Sequence, residues 1–526
     1  MQGAIAAGHP QTAEAGAAML RAGGNAVDAA VAAAFASFVA EACIVNVGGG
    51  GVALISDATG ACTAYDFFSS MPSGAFTPDA DFHQVLIDFG PEQQPFHIGR
   101  ASVAVPGVVA GLCRMAQERG TLPLATLLAP AVALAEEGAV LTPGQAYAYQ
   151  ILEPIFRDTP ALAAIYFPDG RRYQVGEPMR FPHLARTLRR LGQDGPDLFY
   201  RGDLAREIVA DQQRNGGLLT ASDLAAYPVH TGAPIRMDYR AHTVQLMPHA
   251  SVGGVLIAFA LRLLASLDVA AHLHNGHAHL RLLAEVMRLT NVARADWEQS
   301  PLPVATRPAW FLADEHIAVY GRQLAAVLAG APVPPEPATP PGPSDTTHIS
   351  VVDGNGLQVS VTTSAGENAG FVVGDTGVCL NNMLGEADLH PQGFHRLPPG
   401  ERLVTMMTPV IVARDGQPVL AVGSGGSNRI RSAILQVLSN VLDFGLPLDD
   451  AVNAPRVHFE SGLLQVEGGI DEGVTAALRA DGYTVKAWPG RNMFFGGAHA
   501  VAHTGATFTA AGDVRRGGSV VVVGPE

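Results

Sequence analysis

A proline-dense stretch divides this chain and restricts how it can fold. Residues 331–345 read APVPPEPATPPGPSD, with seven prolines among fifteen residues. Because proline lacks a backbone N–H and fixes φ, no helix or central strand can persist through such a stretch. The stretch therefore predicts an exposed linker between a long first portion, residues 1–345, and a second portion, residues 346–526.

The first portion is predicted to be rich in helices. Helical patterns of apolar residues cover residues 12–21, 25–41, 184–191, 204–213 and 280–291. Gly23 and Gly24 separate the first two segments, which is a typical helix-stop signal. A glycine run at residues 48–51 precedes a short apolar strand at 52–55.

The second portion begins with a β-hairpin. Apolar and polar residues alternate over 348–352 and 357–361, and Asp353-Gly354-Asn355-Gly356 joins the two runs with strong turn chemistry. Further strands are predicted at 410–413, 419–422 and 519–523. After the glycine-rich residues 423–427, the apolar residues Ile430, Ile434, Val437 and Val441 fall on one helical face. Mixed sheets with covering helices, an α+β fold, are the expected architecture.

Composition excludes several classes of protein. Hydrophobic residues make up 48% of the 526 residues, charged residues only 15%, and the net charge is −15. An intrinsically disordered chain needs the opposite balance, and the acidic charge argues against binding to nucleic acid or to an anionic membrane. No apolar run is long enough to span a bilayer, and the amino terminus lacks the pattern of a signal peptide, so a cytoplasmic location is expected.

Neither a metal nor a cofactor is predicted. The four cysteines, Cys43, Cys62, Cys113 and Cys379, form no CxxC pair and are expected to be reduced. The histidines at 272, 274, 277 and 279 lack a zinc spacing and nearby carboxylates, so packing or surface roles are expected. The glycine run at 48–51 lacks the frame of a dinucleotide-binding loop.

The start of the hairpin carries the strongest chemical signal. Pairing across the turn sets Thr346 opposite Thr363, Ser364 or Ala365, which by itself is an ordinary cross-strand pair. Cleavage of the Asp345–Thr346 bond, however, would place a free α-amino group beside the Thr346 hydroxyl. Such an amine has a pKa of about 7.7–8.0 and can act as the general base for a threonine nucleophile.

Motifs along nearly the whole chain resemble those of the gamma-glutamyltranspeptidase (glutathione hydrolase) family, in the N-terminal-nucleophile hydrolase superfamily. They are, in order, GHP at 8–10, GGNAVDAA at 23–30, GGGG at 48–51, VPG at 105–107, FYRG at 199–202, NGGLLT at 215–220, TTHISVVD at 346–353, LNN at 380–382, GSGGSNRI at 423–430 and NAPR at 453–456. The resemblance implies a four-layer αββα sandwich. It also implies self-cleavage between Asp345 and Thr346, with residues 1–345 and 346–526 staying associated as a heterodimer.

The resemblance further implies a reaction and its residues. Thr346 attacks a γ-glutamyl amide, and the acyl group passes to water or to an amino-acid acceptor. The hydroxyls of Thr347 and Ser364 match family positions that support the nucleophile. The oxyanion is expected at the amides of Gly426 and Ser427, with a slip to Gly425 possible, because backbone N–H groups ahead of a helix start suit a developing negative charge.

The substrate-binding positions depart from the family pattern. Phe68 stands where the family has the arginine that clamps a substrate carboxylate, and a ring cannot replace that pair. Other positions differ as well: Gly366 replaces an asparagine, Met383 and Glu386 replace a polar pair, and Thr405 and Met406 replace two serines. Of these, Glu386 could still hold an ammonium group, and Asn368, Thr405 and Arg100 are candidates for compensation.

Two alternatives to a γ-glutamyl hydrolase therefore stay open. One is an acylase-type amidohydrolase of the same fold, with an acyl substrate that is not glutamyl. The other is an uncleaved binding protein without catalysis. In either enzymatic case the substrate is a small-molecule amide, and Thr346 is the expected nucleophile.

Overall fold

The computed structural model describes residues 2–88, 93–248, 251–334, 336, 346–390, 392–505 and 507–524. Its strands in chain order are β1 (Gly3–Ala7), β2 (Gly50–Ser56), β3 (Cys62–Phe67), β4 (His83–Asp88), β5 (Gln93–Ile98), β6 (Ala139–Val140), β7 (Pro178–Met179), β8 (His230–Gly232), β9 (Ile235–Tyr239), β10 (His242–Leu246), β11 (Thr347–Asp353), β12 (Gln358–Ser364), β13 (Val372–Val373), β14 (Val378–Cys379), β15 (Val410–Arg414), β16 (Gln417–Gly425), β17 (Val457–Glu460), β18 (Leu463–Val466), β19 (Thr484–Ala487), β20 (Gly497–Thr504), β21 (Thr507–Gly512) and β22 (Ser519–Val523).

The α-helices cover both portions of the chain. In chain order they are α1 (Pro10–Arg21), α2 (Ala26–Ala40), α3 (Val108–Arg119), α4 (Leu124–Glu137), α5 (Pro143–Ile151), α6 (Glu153–Phe156), α7 (Pro160–Tyr166), α8 (Pro182–Asp194), α9 (Asp197–Tyr200), α10 (Asp203–Arg214), α11 (Ala221–Ala225), α12 (Val252–Ala265), α13 (His277–Gln299), α14 (Arg307–Phe311), α15 (Asp314–Leu328), α16 (Arg429–Leu442), α17 (Leu448–Asn453) and α18 (Glu472–Ala480).

Two antiparallel sheets lie at the centre of the molecule. The first has the strand order β22-β1-β11-β12-β2-β3-β8, and the second has the order β21-β20-β16-β15-β10-β9. Strands β11 and β12 of the first sheet pack on β16 and β20 of the second. Helices α1, α2 and α3 cover the outer face of the first sheet, with α4 packed on α2, whereas α12 and α16 cover that of the second. The result is the αββα sandwich expected from the sequence.

Both portions of the chain contribute to each sheet. In the first sheet, β1 from the first portion lies between β11 and β22 from the second. In the second sheet, β10 from the first portion pairs with β15 from the second. Neither portion can therefore complete a sheet without the other.

Helix α2 shows why an alanine-rich segment suits this position. All of its residues are buried, and small side chains let the helix lie close to β11 and β12. Asn25 begins the helix through a capping box with Asp28, which satisfies backbone N–H groups that the first turn leaves unpaired. The helix covers the segment that the sequence pattern predicts.

The predicted hairpin is formed by β11 and β12. Thr347 pairs with Thr363, and Val352 pairs with Gln358. Alternate residues of β11 face opposite layers: Ile349 packs among the helix-side core, whereas His348 lies between the two sheets. Thr346, two residues before His348, therefore belongs to the face between the sheets.

The other predicted elements are also present. The helices expected at 12–21, 184–191, 204–213 and 280–291 are α1, α8, α10 and α13, and the strands expected at 410–413, 419–422 and 519–523 are β15, β16 and β22. The four cysteines are free thiols, as expected. No helix among the described residues has both the length and the apolar character needed to cross a membrane. Of the predicted linker, residue 335 and residues 337–345, including Asp345, lie outside the described residues.

Candidate active site

Thr346 lies immediately before β11, in the middle of the first sheet. Its side chain is almost completely buried, with an exposed fraction of 3%. Continuing the β11–β12 register by one residue sets Thr346 opposite Ser364, which in turn pairs with Gly50 of β2. A row of Thr346, Ser364 and Gly50 thus crosses three neighbouring strands on the face between the sheets.

The end of β16 packs directly against Thr346. A Cβ atom at Gly425 would overlap the Thr346 carbonyl oxygen, so only glycine fits at this point of closest approach. The chain then turns through Gly426, with a φ of +118°, and Ser427, with a φ of +51°, before α16 begins. Within the described residues, neither the Gly426 N–H nor the Ser427 N–H has a hydrogen-bond acceptor. Two backbone donors therefore lie in the loop that follows the contact with Thr346.

The Ser427 side chain binds a carboxylate that the sequence analysis did not identify. Its hydroxyl donates to Asp388 Oδ2 at 2.9 Å. Asp388 lies in a one-turn 3₁₀ helix, Ala387–Leu389, next to Glu386. Burial raises the pKa of Asp388. A lone aspartate in an irregular segment offers no periodicity or motif that would reveal this contact.

The Thr347 hydroxyl points to the helix layer, away from the face of Thr346. It donates to Glu41 Oε2 at 2.6 Å, and Thr12 donates to Glu41 Oε1 at 2.7 Å. Burial raises the pKa of the Glu41 carboxyl, whose exposed fraction is 2%. Support of the nucleophile by Thr347 would therefore act through anchoring the start of β11 rather than through contact between two hydroxyls. The sequence pattern identified Glu41 only as the end of a helix.

Ser364 and Glu386 lie on the same side of the candidate site. Gly366, with a φ of +63°, donates its N–H to Ser364 Oγ at 3.0 Å. A Cβ at Gly366 would overlap both Asn382 Oδ1 and Glu386 Oε1, so the Glu386 carboxylate lies against the Gly366 backbone. This close packing explains why glycine replaces the family's asparagine here. Gly366 therefore contacts both Glu386 and the Ser364 hydroxyl.

Phe68 lies beside Gly50, at the far end of the same row. A Cβ at Gly50 would come within 3.1 Å of Phe68 Cα and 2.8 Å of the Ser69 nitrogen. Phe68 is fully buried and shares one apolar cluster with Met383 and Met406. Phe68, Met383 and Met406, the three apolar residues that stand where the family has polar ones, are therefore part of one core.

Nearby arginines are already engaged. Arg402 forms an ion pair with Asp66 at 3.5 Å and donates to the Phe68 carbonyl oxygen. Arg100 lies 3.3 Å from Asp211 and 3.4 Å from Asp81, with its guanidinium over the Phe371 ring. Arg100 was a candidate replacement for the missing clamp, but its charge is balanced by these two carboxylates.

The other residues considered for substrate binding accept hydrogen bonds from backbone N–H groups of their own loops. Thr405 Oγ1 accepts the Met407 N–H at 3.1 Å, and Asn368 Oδ1 accepts the Gly370 N–H at 3.0 Å. His348 interacts with Thr362 at 2.8 Å and Ser350 at 2.9 Å, which agrees with a packing role. No group of three or more His, Cys, Asp or Glu residues in the described part of the chain could hold a metal ion.

Comparisons with known proteins identify the family of this chain. The sequence model of the family described as Gamma-glutamyltranspeptidase matches residues 12–523. The chain is 34% identical to the acylase ACY 1 proenzyme of Pseudomonas sp. (strain V22), over 99% of this chain and 94% of that protein. It is 32% identical to the glutathione hydrolase proenzyme of Escherichia coli (strain K12), over 92% of this chain and 86% of that protein.

A solved structure covers almost the same length. The cephalosporin acylase from Bacillus halodurans superposes with a TM-score of 0.85 and 27% sequence identity, over 99% of this chain and 95% of that chain. The match of the family model over nearly the whole chain, together with relatives above 30% identity, leaves no ambiguity about descent. The chain belongs to the gamma-glutamyltranspeptidase family, and it is an enzyme of the hydrolase and transferase class.

Proposed function

We propose that the chain is a self-processing amidohydrolase whose nucleophile is Thr346. One observation carries this proposal: Thr346 is buried against Gly425, and the N–H groups of the next two residues, Gly426 and Ser427, have no acceptor within the described residues. A nucleophile beside backbone donors is the arrangement that acyl transfer requires.

Self-cleavage is the first step of the proposed chemistry. The Thr346 hydroxyl attacks the Asp345 carbonyl, the Asp345–Thr346 amide becomes an ester, and water hydrolyses that ester. Asp345 then ends in a carboxylate, and Thr346 gains a free α-amine. The fragments 1–345 and 346–526 stay together as a heterodimer because each supplies strands to both sheets.

Amide hydrolysis uses the new amine. It accepts the proton of the Thr346 hydroxyl as the oxygen attacks the substrate carbonyl, and it returns that proton to the leaving amine. The donors at Gly426 and Ser427 would stabilise the oxyanion, each by roughly 3–4 kcal/mol in the transition state. Water, or an amino-acid acceptor, then takes the acyl group from the Thr346 ester.

An N-acyl amide with an uncharged acyl group is the proposed substrate class. The support comes from Phe68, which is buried among apolar side chains, and from Arg402 and Arg100, which are held by carboxylates of the protein. A substrate carboxylate would find no arginine in the place where the family provides one. Similarity to an acylase over the whole chain points in the same direction.

A γ-glutamyl amide is the second candidate. The Glu386 carboxylate lies against Gly366, two residues from Ser364, where it could bind the α-ammonium group of a glutamyl substrate. Similarity to a glutathione hydrolase supports this reading. The sequence pattern by itself favours a γ-glutamyl amide. The burial of Phe68 is the reason why we rank this substrate second.

Replacement of the nucleophile tests the proposed function. In wild-type protein, mass spectrometry should find two fragments, the smaller beginning at Thr346. Thr346→Ala should give one intact, folded chain without amidase activity, because both steps need the hydroxyl. Thr363→Val is a matched control: this threonine lies on the adjacent strand, and its Oγ1 has no hydrogen-bond partner within the described residues. The control should self-cleave normally. An uncleaved wild-type protein would indicate a binding protein instead.

A pair of chromogenic substrates distinguishes the two substrate classes. γ-Glutamyl-p-nitroanilide carries a free α-amino acid end, whereas butanoyl- and phenylacetyl-p-nitroanilide do not. We expect a higher kcat/KM for one of the uncharged acyl anilides. A preference for the γ-glutamyl compound would reverse the ranking of the two candidates.

A further inference from the structure

The backbone of Ser427 adopts a conformation that serine does not favour. Its φ of +51° is in the left-handed region, where a Cβ atom crowds the carbonyl oxygen. Glycine, by contrast, adopts a positive φ without strain. In this chain, some other interaction has to hold Ser427 in place.

Asp388 supplies that interaction. Its Oδ2 accepts the Ser427 hydroxyl at 2.9 Å, and Ser427 is 3% exposed. A buried hydrogen bond to a carboxylate is shielded from competition with water and ties the side chain to one position. Only one rotatable bond, χ1, separates the serine hydroxyl from the backbone. A hydrogen bond that fixes the hydroxyl therefore also restricts the φ angle of Ser427.

The orientation of the Ser427 backbone decides where its N–H points. A change of φ from positive to negative values rotates the peptide between Gly426 and Ser427, and with it the N–H of Ser427. That N–H and the Gly426 N–H are the two donors without an acceptor within the described residues. Loss of the Asp388 contact would therefore misdirect a donor while leaving Thr346 unchanged.

We propose that Asp388 is a positioning residue that holds Ser427 in its left-handed conformation and so aims the oxyanion donors. The inference rests on the proposed function, since it assigns a purpose to the same loop. It also links two parts of the site, because Asp388 shares its turn with Glu386, which lies on the acyl side. Asp388 itself is not proposed to touch the substrate.

A double-mutant cycle with Ser427→Gly tests the proposal. Removing an oxyanion donor lowers kcat by about 10²–10³-fold, so misdirecting one should lower it by roughly 10- to 100-fold. We expect Asp388→Ala and Ser427→Ala each to lower kcat by this amount, with KM changed less than about twofold. In the Ser427→Gly background, Asp388→Ala should change kcat by less than about twofold, because glycine needs no help to keep a positive φ.

Asp443→Ala is the matched control. Asp443 accepts the Ser439 hydroxyl at 2.7 Å and also binds Tyr239 and Arg240. It follows the last residue of α16, whereas Ser427 precedes the first. Its loss should lower the melting temperature without lowering kcat, which separates a general loss of stability from an effect on the loop.

Two results would overturn the proposal: a kcat of Asp388→Ala within twofold of wild type, or an equal loss in the Ser427→Gly background. If Asp388→Ala does not fold, Ser427→Ala alone decides, and an unchanged kcat there rejects the proposal. A wild-type protein that is uncleaved and inactive rejects the proposed function, and this inference with it. An active wild-type protein with an unaffected Asp388→Ala variant rejects the inference alone.

Discussion

Phe68 is the residue at which we expect a single side chain to set the substrate class without altering the proposed catalytic residues. It lies beside Gly50, at one end of the row that Ser364 and Thr346 continue. A phenyl ring excludes a carboxylate from this place, since an ion buried without a partner is strongly disfavoured. The proposed nucleophile and the proposed oxyanion loop belong to other strands and need no adjustment. Under the proposed function, substrate specificity and catalysis therefore depend on different residues.

Phe68→Arg should move the preference towards γ-glutamyl amides. A charged hydrogen bond to a substrate carboxylate contributes about 1.5–3 kcal/mol, so kcat/KM for γ-glutamyl-p-nitroanilide should rise at least about tenfold relative to butanoyl-p-nitroanilide. The buried charge should also lower the melting temperature of the free protein. Phe68→Met, with a similar volume and no charge, is the control for packing. An unchanged ratio of the two kcat/KM values would show that Phe68 does not line the acyl side.

At the scale of elements, α2 links the first portion of the chain to β11, the strand that follows the proposed nucleophile. Its amino-terminal end is held by Asn25 and Asp28, and at its carboxyl-terminal end Glu41 binds Thr347, directly after the proposed nucleophile. Asp28 also accepts hydrogen bonds from Thr121 and Leu122, which bring the loop after α3 onto the helix. A single aspartate thus completes a helix cap and joins two elements.

Asp28→Ala should destabilise the fold more than an ordinary cap substitution does. It removes the cap and leaves several partly buried N–H donors without an acceptor, at up to about 1–3 kcal/mol for each unsatisfied group, so the free energy of unfolding should fall by roughly 3 kcal/mol. Asp223 is the matched control, since it forms the corresponding capping box with Thr220 on the half-exposed α11. Asp223→Ala should cost only about 1 kcal/mol. Equal losses in urea unfolding would contradict the account.

On the scale of the whole molecule, the layer between the sheets buries histidines that cannot readily become charged. His348 and His499 both lie there, and burial lowers the pKa of His348 well below its ordinary value and that of His499 to about 4. In the unfolded chain a histidine titrates at about 6.5. The unfolded state therefore binds more protons between pH 6.5 and about 4, and stability is lost as the pH falls through that window.

His499→Asn should reduce this pH dependence. Each histidine with a lowered pKa contributes about 1.4 kcal/mol per pH unit to the slope of the unfolding free energy below pH 6.5. Replacing His499 should therefore reduce proton uptake on unfolding by about one proton between pH 4.5 and 6. The amide oxygen can still accept the Asp513 N–H that His499 Nδ1 accepts at 3.3 Å. His183→Asn, at an exposed ring, is the control. An unchanged slope in His499→Asn would contradict the prediction.

The sequence by itself determined the local features of the fold. The helices, the hairpin and its register follow from the spacing of apolar residues and from turn residues such as Asp353 and Gly354, because these act between neighbours in the chain. Thr346 stood out because a strand begins there after a proline-dense stretch, and the loop at Gly425–Gly426 because its glycines precede a helix.

The contacts that orient the site depended on tertiary structure. Glu41 and Thr347 are 306 residues apart, and Ser427 and Asp388 are 39 apart in segments without any shared periodicity. The same holds for Phe68, which reaches the row of Thr346 only because β2 pairs with β12. Hydrogen bonds between buried side chains depend on distances of a few tenths of an ångström, and such distances arise only when separate elements have packed together.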